Sequence, residues 1–231
     1  MRTLIATIAA TMIMACTYAQ STISKEFPAS NFSKIKCTGV MNVILIAGET
    51  EGVKVETTDK LMKEVKITQN GDLLLLETEN SRSFKKGDKV TAYITFKKLS
   101  EIRNDGVGNI SNDKPFSLNS LLLSGNGVGN VNLNIEDAGE ITMDYNGVGN
   151  MKLKGHCKTF SIKSNGVGNV ECFDMNADVL KLDNNGVGNV EVFASNEIYM
   201  KNSGVGNVKY KGPAKVMKME NDGVGKMKKV D

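Results

Sequence analysis

Gly106-Val107-Gly108-Asn109 is the first of six identical Gly-Val-Gly-Asn motifs in this chain of 231 residues. The steps between successive motifs, including a final altered copy that reads Gly-Val-Gly-Lys, are 21, 20, 19, 20, 18 and 19 residues. This period is too short for helical-pair solenoids or propeller blades and suits one coil of a β-solenoid. The later copies begin at Gly127, Gly147, Gly166, Gly186, Gly204 and Gly223.

Apolar residues recur at fixed distances on either side of each motif. Counted from the first glycine, they stand six and four residues before it and four and six residues after it, with mostly polar residues between. Around Gly166 these positions hold Phe160, Ile162, Val170 and Cys172. Each repeat therefore predicts two short strands with one apolar face, joined at a glycine corner. Coils stacked about 4.8 Å apart would close a continuous core, and we expect the motif valines to point into it.

The first half of the chain starts the same pattern differently. Residues 35–45 fit the repeat columns around Gly39, with Met41 in place of the second glycine, and predict a degenerate eighth copy. The segments that follow include a hairpin signal at Asn70-Gly71 and one helical turn from Asp59 to Glu64, capped by Asp59. We therefore expect an all-β fold: a β-helix or β-solenoid of about seven to eight coils, with an N-terminal antiparallel strand insertion or cap.

Four segments are expected along the chain. Residues 1–19 combine one positive charge, a short apolar run and small residues at the exit, which is the pattern of a secretory signal peptide. Cleavage after Ala19 is favoured over a lipoprotein form in which Cys16 carries the lipid, and no other segment is long and apolar enough to span a bilayer. An N-terminal linker (20–30), an N-terminal β region with the first degenerate coil (31–100) and the repeat solenoid (101–231) follow. The protein is thus expected to be exported to the periplasm or the cell surface.

Charge and cysteine content exclude several classes of protein. Without residues 1–19 the chain has 28 basic and 26 acidic residues, a net charge of +2, and these charges are dispersed, which argues against a nucleic-acid partner. The three remaining cysteines, Cys37, Cys157 and Cys172, are an odd number and do not form a disulfide framework. The single histidine, His156, is expected to be a solvent-facing turn residue rather than a metal ligand.

Asparagines form two further columns beside the motifs. They predict ladders in which side-chain amides bond to neighbouring coils and satisfy the backbone groups of the corner. The alternative is a polar ligand row or a metal array, but neutral asparagine supplies too little charge for a hard cation. The two columns are Asn109, Asn130, Asn150, Asn169, Asn189 and Asn207 after the glycines, and Asn126, Asn146, Asn165 and Asn185 before them.

Charged residues alternate in sign three positions before the motifs, so that opposite charges would face each other on neighbouring strands. Two of them, Asp144 and Asp183, would lie about 10 Å apart with a lysine between them, which does not give the paired carboxylates of a polysaccharide hydrolase. Phe173 and Phe193 share a column in adjacent coils and are expected to pack together. We therefore predict no catalytic, cofactor-binding or metal-binding residues. The charged column is Asp144, Lys163, Asp183, Lys201 and Glu220.

Three features resemble the bacterial family described as auto-transporter adhesin, head GIN domain, over roughly residues 31–215. They are the start Phe32-Ser33-Lys34-Ile35, the Gly-x-Gly-[Asp/Asn]-hydrophobic repeats, and Tyr210-Lys211-Gly212-Pro213. Members typically carry Gly-Ser-Gly-Asp where this chain has Gly-Val-Gly-Asn, so the corners here are more apolar. The resemblance implies an all-β, β-helix-like fold and an exported location.

These observations together predict an exported, non-enzymatic envelope protein that is adhesin-like or binds a ligand along its repeats. A glycan or an envelope or surface protein is the expected partner, and no cofactor is expected. Two alternatives remain open, a polysaccharide-degrading β-helix enzyme and a structural spacer or assembly element.

Overall fold

The computed structural model describes residues 21–79, 84, 85 and 87–231. Among the described residues, strands make up 67% and helix 2%, wound as a β-solenoid, so the predicted fold class is confirmed. In the described part of the chain, no helix has the length and apolar character needed to cross a membrane. The predicted signal peptide of residues 1–19, with Cys16, lies outside the described residues.

In the part of the chain that the structure describes, the strands join in a single 17-stranded sheet, with one short helix between the fourth and fifth strands. The elements are β1 (Thr22–Phe27), β2 (Lys34–Cys37), β3 (Asn42–Ala47), β4 (Gly52–Thr58), α1 (Asp59–Met62), β5 (Val65–Asn70), β6 (Leu73–Thr78), β7 (Thr91–Phe96), β8 (Glu101–Asn104), β9 (Ile110–Asn112), β10 (Phe116–Gly125), β11 (Val131–Tyr145), β12 (Met151–Ser164), β13 (Val170–Asn184), β14 (Val190–Asn202), β15 (Val208–Lys211), β16 (Lys215–Asn221) and β17 (Met227–Lys229).

Parallel pairing stacks the repeats in chain order from β8 to β17. Strands β11 to β14 each run from one motif to the next, with a shift of register along the way. The solenoid has about six turns, slightly fewer than the seven to eight predicted. The reason is that seven motif copies, from Gly106 to Gly223, delimit six complete intervals. The degenerate copy at Gly39 does not lead directly into Gly106, and only the three-residue β17 follows Gly223.

The degenerate copy takes its predicted place at the start of this stack. Val40 pairs with Val107, and the Asn42 side-chain oxygen accepts the N–H of Asn109 at 3.0 Å. The segment between the two copies forms antiparallel pairs at β4–β7 and β5–β6, and β1, which precedes the first copy, pairs antiparallel with β4. However, β6 and β7 also pair in parallel with β2 and β3, so they add a further layer to the stack. The expected cap is therefore partly a continuation of the solenoid.

The structure confirms the hairpin and the helical turn predicted in the cap, but not the residue predicted to cap that turn. The Asn70-Gly71 hairpin is confirmed, since β5 and β6 pair antiparallel and Gly71 has a φ of 61°. The helical turn is present, but Asp59 is not its N-cap. Thr58 is, because its backbone stays extended and its hydroxyl accepts the N–H of Leu61 at 3.4 Å.

The four apolar columns build the core as predicted. From Ile102 to Val208 their side chains are at most 4% exposed, and Cys172 packs in register with Val192. In the last coil Met217 and Met219 are 45% and 39% exposed, because no described strand covers their inward face. The core is therefore a continuous apolar column that runs the length of the stack.

The second glycine of each motif has a conformation that other residues rarely adopt. Gly168, for example, has a φ of 143°, and a Cβ built on it would overlap the carbonyl oxygen of Gly149 in the coil below. The corner therefore requires glycine for both its backbone angle and the spacing of the coils.

Substitution at this corner tests that requirement. We expect Gly168→Ala to destabilise the protein by at least about 2 kcal/mol, which lowers the melting temperature by about 4–8 °C in a chain of this size. Gly52→Ala is the matched control, since a Cβ there meets no atom within 4 Å and its φ is not positive. Equal melting temperatures for the two variants, measured by circular dichroism, would contradict the role assigned to the corner.

Candidate functional site

The motif valines face solvent, so the prediction that they point inward was wrong. They form a ladder of parallel bridges from Val40 to Val224. From Val107 to Val205 they are 48–51% exposed, and Val224 is 70% exposed. Burial alternates along the strand into the corner: the first glycine of each motif from Gly106 to Gly204 is buried, and the valine after it is exposed. The valine between the glycines therefore projects outward.

The predicted asparagine ladder after the motif is confirmed. The Asn109 side-chain oxygen accepts the N–H of Asn130 at 2.9 Å, and the same bond recurs on each coil as far as Lys226, at 2.8–3.1 Å. Each side chain thus supplies an acceptor to a backbone N–H at the corner of the next coil. Its amide NH2 group has no protein acceptor among the described residues and is free to bind a ligand.

The column before the motif forms a ladder over three of its four predicted members, while Asn126 donates to Asp105. Asn165 donates to the Asn146 side-chain oxygen at 2.8 Å, and Asn185 donates to that of Asn165 at 3.3 Å. A third, buried ladder was missed by sequence reasoning. Asn184 donates to Asn202 at 2.7 Å, and Asn202 to Asn221 at 2.7 Å. Asparagine at the same position in three successive repeats was the signal for it.

We call the exposed valine ladder and the two asparagine columns beside it the corner stripe. From Asn126 to Asn207 the stripe contains no charged side chain; Ser203 is its one other polar residue. Acidic residues occur only at its ends, at Asp105 and Asp222. The stripe is thus a repetitive surface without charged side chains in its middle, bordered by the Asp144 and Asp183 carboxylates, which accept hydrogen bonds from Asn146 and Asn185 at 3.1 Å.

The charged column lies beside the stripe with the predicted register. Asp144 pairs with Lys163, Lys163 with Asp183, and Asp183 with Lys201. No ion pair within 4.0 Å joins these four residues in the described structure, so their contribution is long-range and small. They border a shallow groove of about 420 Å³ together with Tyr199. Asp144 and Asp183 lie two coils apart, as predicted, and form no carboxylate pair.

A turn position was expected for His156, but the residue lies in strand β12. Its Nδ1 is 2.7 Å from an Asp137 oxygen, and its Nε2 is 3.8 Å from an Asp178 oxygen. The Ser195 hydroxyl bonds to Asp178 at 3.0 Å rather than to the histidine, so a serine–histidine relay is not formed. Among the described residues, no group of three histidine, cysteine or acidic residues is placed to hold a metal ion.

Phe173 and Phe193 do not stack in one column, because the register shifts between them. Cys172 pairs with Val192 but Asn176 pairs with Phe193, which leaves Phe173 in a bulge. The Lys211 ammonium lies 5.0 Å from the centre of the Phe173 ring. The Phe173 ring thus contacts a lysine of a later coil, and the two phenylalanines form no row of aromatic side chains.

A groove of about 540 Å³ lies at the cap, between β1, β4 and β7. Phe27 and Tyr93 line it, and the Lys54 ammonium lies 4.8 Å above the Tyr93 ring. Lys54 and the Tyr93 hydroxyl both bind Glu56, which lowers the pKa of that carboxyl group. Sequence reasoning missed this groove because its walls come from strands far apart in the chain.

The three described cysteines are free and buried. Burial raises the pKa of Cys37 to about 11 and that of Cys157 and Cys172 to about 12. Nearby acidic side chains act in the same direction, Asp105 on Cys37 and Asp178 on Cys157. The thiols therefore behave as small apolar core groups.

The family model described as "Putative auto-transporter adhesin, head GIN domain" matches residues 31–214. A putative adhesin from Bacteroides fragilis has a similar structure, with 25% identity and a TM-score of 0.87, over 92% of this chain and 98% of that one. Two proteins from Parabacteroides distasonis share the fold. One is a putative adhesin (20% identity, TM-score 0.64, coverage 91% and 98%), and the other a putative lipid binding protein (17%, 0.63, 92% and 98%). A comparison with curated proteins finds no match.

The asparagine ladder can be tested one rung at a time. We expect Asn150→Ala to destabilise the protein by about 1 kcal/mol, because the N–H of Asn169 loses its acceptor. Asn150→Asp keeps an acceptor oxygen and should be milder. Asn132→Ala, at an exposed asparagine outside the stripe, is the control in urea denaturation. A loss in Asn150→Ala no larger than in this control would contradict the ladder.

The buried thiols make the free energy of unfolding depend on pH in the alkaline range. The folded state holds the thiol proton more tightly than the unfolded state, whose thiol pKa is near 9.0. Stability is therefore full below pH 9 and falls as the pH rises from about 9 toward about 12. We expect Cys172→Val to flatten this fall, measured as the urea midpoint against pH. An unchanged slope in the variant would contradict the assignment.

Proposed function

The chain belongs to the family described as "Putative auto-transporter adhesin, head GIN domain", and on this premise we propose that it is an exported, non-enzymatic envelope protein. It binds a glycan or an envelope or surface protein along its repetitive flank. The proposal places the protein in the periplasm or at the cell surface, after cleavage behind Ala19.

The observation that carries the proposal is the exposed corner stripe. A ladder of half-exposed valines has no role in the core of the protein that carries it, and an exposed apolar row of this kind is typical of an interaction site. The close stacking of the coils holds its side chains in fixed positions before a partner arrives, which reduces the entropy cost of binding. The proposed binding surface is therefore built from the Gly-Val-Gly-Asn corner, the part of the repeat that varies least from coil to coil.

The family and the similar structures support a role without catalysis. The acidic residues nearest the stripe alternate with lysines, and Asp144 and Asp183 are separated by a strand that carries Lys163. Charges of alternating sign offer no general acid and base on either side of a bond. The histidine is held between two aspartates, away from the stripe.

Two measurements test the proposal. We expect protease added to intact cells to digest the protein if it lies at the surface, whereas protection until lysis would restrict its partners to the periplasm. We also expect the folded mature chain, immobilised on beads, to retain envelope polysaccharide or a specific envelope protein, with heat-unfolded protein as the control. Retention in the cytoplasm, or a complete failure to bind both kinds of envelope fraction, would contradict the proposal.

A further inference from the structure

The asparagine column after the motif presents one kind of hydrogen-bonding group to solvent. From Asn109 to Asn207 each side-chain oxygen is engaged by a backbone N–H of the next coil, through the series of bonds described above. The amide NH2 groups have no protein acceptor in the described structure. Six pairs of N–H donors therefore stand in a row about 4.8 Å apart.

The valine ladder runs directly beside this row of donors. Its members from Val107 to Val205 are half exposed, and with Val224 the ladder extends over about 29 Å, or six strand spacings. A ligand that matches the whole surface is long, has an apolar side for the valines and has acceptors for the amides. The middle of the stripe, from Asn126 to Asn207, has no charged side chain of its own. The carboxylates that contact it, Asp144 and Asp183, alternate with Lys163 and Lys201, so these charges cancel and favour a neutral ligand over an anionic one.

Three kinds of long molecule can be compared with this pattern. An extended peptide repeats its side chains on one face every two residues, about 6.6–6.8 Å, which does not match the rungs. A second copy of this chain matches the spacing, but in an antiparallel arrangement its equivalent column would set donors against donors. A chain of β-1,4-linked sugars turns over at each step, so equivalent groups recur on one face every two sugars, close to two rungs. Every sugar also offers ring and hydroxyl oxygens as acceptors beside C–H faces.

We infer that the corner stripe binds a neutral, extended polysaccharide that lies along the solenoid axis. The amide groups of Asn109, Asn130, Asn150, Asn169, Asn189 and Asn207 donate to its oxygens, and the valines contact its C–H groups. This inference rests on the proposed binding function and specifies the ligand class and the residues that bind it.

Affinity for such a ligand depends on its length. The stripe contains no aromatic ring, so each rung contributes little, and successive sugars must engage successive rungs to bind measurably. Short oligosaccharides therefore bind weakly, and affinity rises until about six sugars fill the six asparagine rungs. The same protein thus prefers long polymers to the fragments released from them.

Asparagine-to-aspartate changes separate the two functions of the ladder. In Asn130→Asp/Asn169→Asp/Asn207→Asp, each new carboxylate still accepts the neighbouring backbone N–H, while the outward donors are lost. The changes fall on alternate rungs, which keeps the new charges about 10 Å apart. The matched control is Asn119→Asp/Asn132→Asp/Asn196→Asp, which adds the same charge at exposed asparagines outside the stripe. If the aspartate variant of the stripe does not fold, the uncharged variant Val128→Ser/Val167→Ser/Val205→Ser replaces it in the test.

The probes are two neutral β-linked polysaccharides, a mixed-linkage β-glucan and a glucomannan. Dextran is the neutral polymer without β linkages, and alginate and hyaluronan are the anionic comparisons. Each is cast into a native gel, and the retardation of the full mature chain is measured. We expect at least one of the two β-linked polysaccharides to retard the wild type and the control equally, whereas retardation by dextran alone would contradict the extended ligand. The stripe variant should need about tenfold more polysaccharide, the effect of about one net hydrogen bond. Hexasaccharides of that glycan should bind more tightly than trisaccharides in calorimetry.

The other outcomes overturn the inference in distinguishable ways. Equal retardation of wild type and stripe variant moves the glycan site elsewhere and leaves the proposed function standing. Retardation by alginate or hyaluronan alone overturns the neutral ligand class. If no glycan retards the protein but an envelope protein is retained on the beads, only the glycan inference fails. If light scattering finds a wild-type dimer that the stripe variant abolishes, a second copy occupies the stripe.

Discussion

The backbones of successive coils meet at the glycine corner with no room for a side chain between them. Each motif valine donates its N–H to the first glycine of the coil before it, and the second glycine donates to the valine of the coil after it, at 2.8–2.9 Å. Because this contact sets the distance between coils, it also sets the register of every column on either side. The apolar core, the asparagine ladders and the exposed valines all follow from it.

Much of this arrangement is readable from the sequence, since one repeat predicts the next. The four core columns and both asparagine ladders follow from spacing alone, and Gly39 was placed correctly despite Met41 in its motif. The valines were misplaced because their apolar character was given more weight than their position. Alternation continues into the corner, and the first glycine already occupies the buried position, so Val107 and its equivalents project outward. The valines of the surface that is proposed to bind were thus identified in the sequence but assigned to the wrong face.

Features that depend on contacts between distant segments could not be predicted in this way. The parallel pairing of β6 and β7 with β2 and β3 reverses the order of layers relative to the chain, and no local pattern indicates it. Register shifts between neighbouring coils were equally unpredictable from the repeat pattern. One of them separates Phe173 from Phe193, and stacking across neighbouring coils sets His156 between Asp137 and Asp178. The regular part of each repeat is predictable because every coil contacts equivalent neighbours. Its irregularities are not predictable, because they differ from coil to coil.

The order of the layers also determines how the protein responds to mechanical load. The outermost strand at one end is β1, which precedes the first coil, and β17 lies in the last coil at the other. A pull between the two ends of the described chain therefore acts along the stacking axis, parallel to the inter-coil hydrogen bonds. Bonds in this direction open one rung at a time, and each coil of about 20 residues releases about 65 Å of extended chain. Under tension the solenoid would thus lengthen stepwise, with the remaining coils intact.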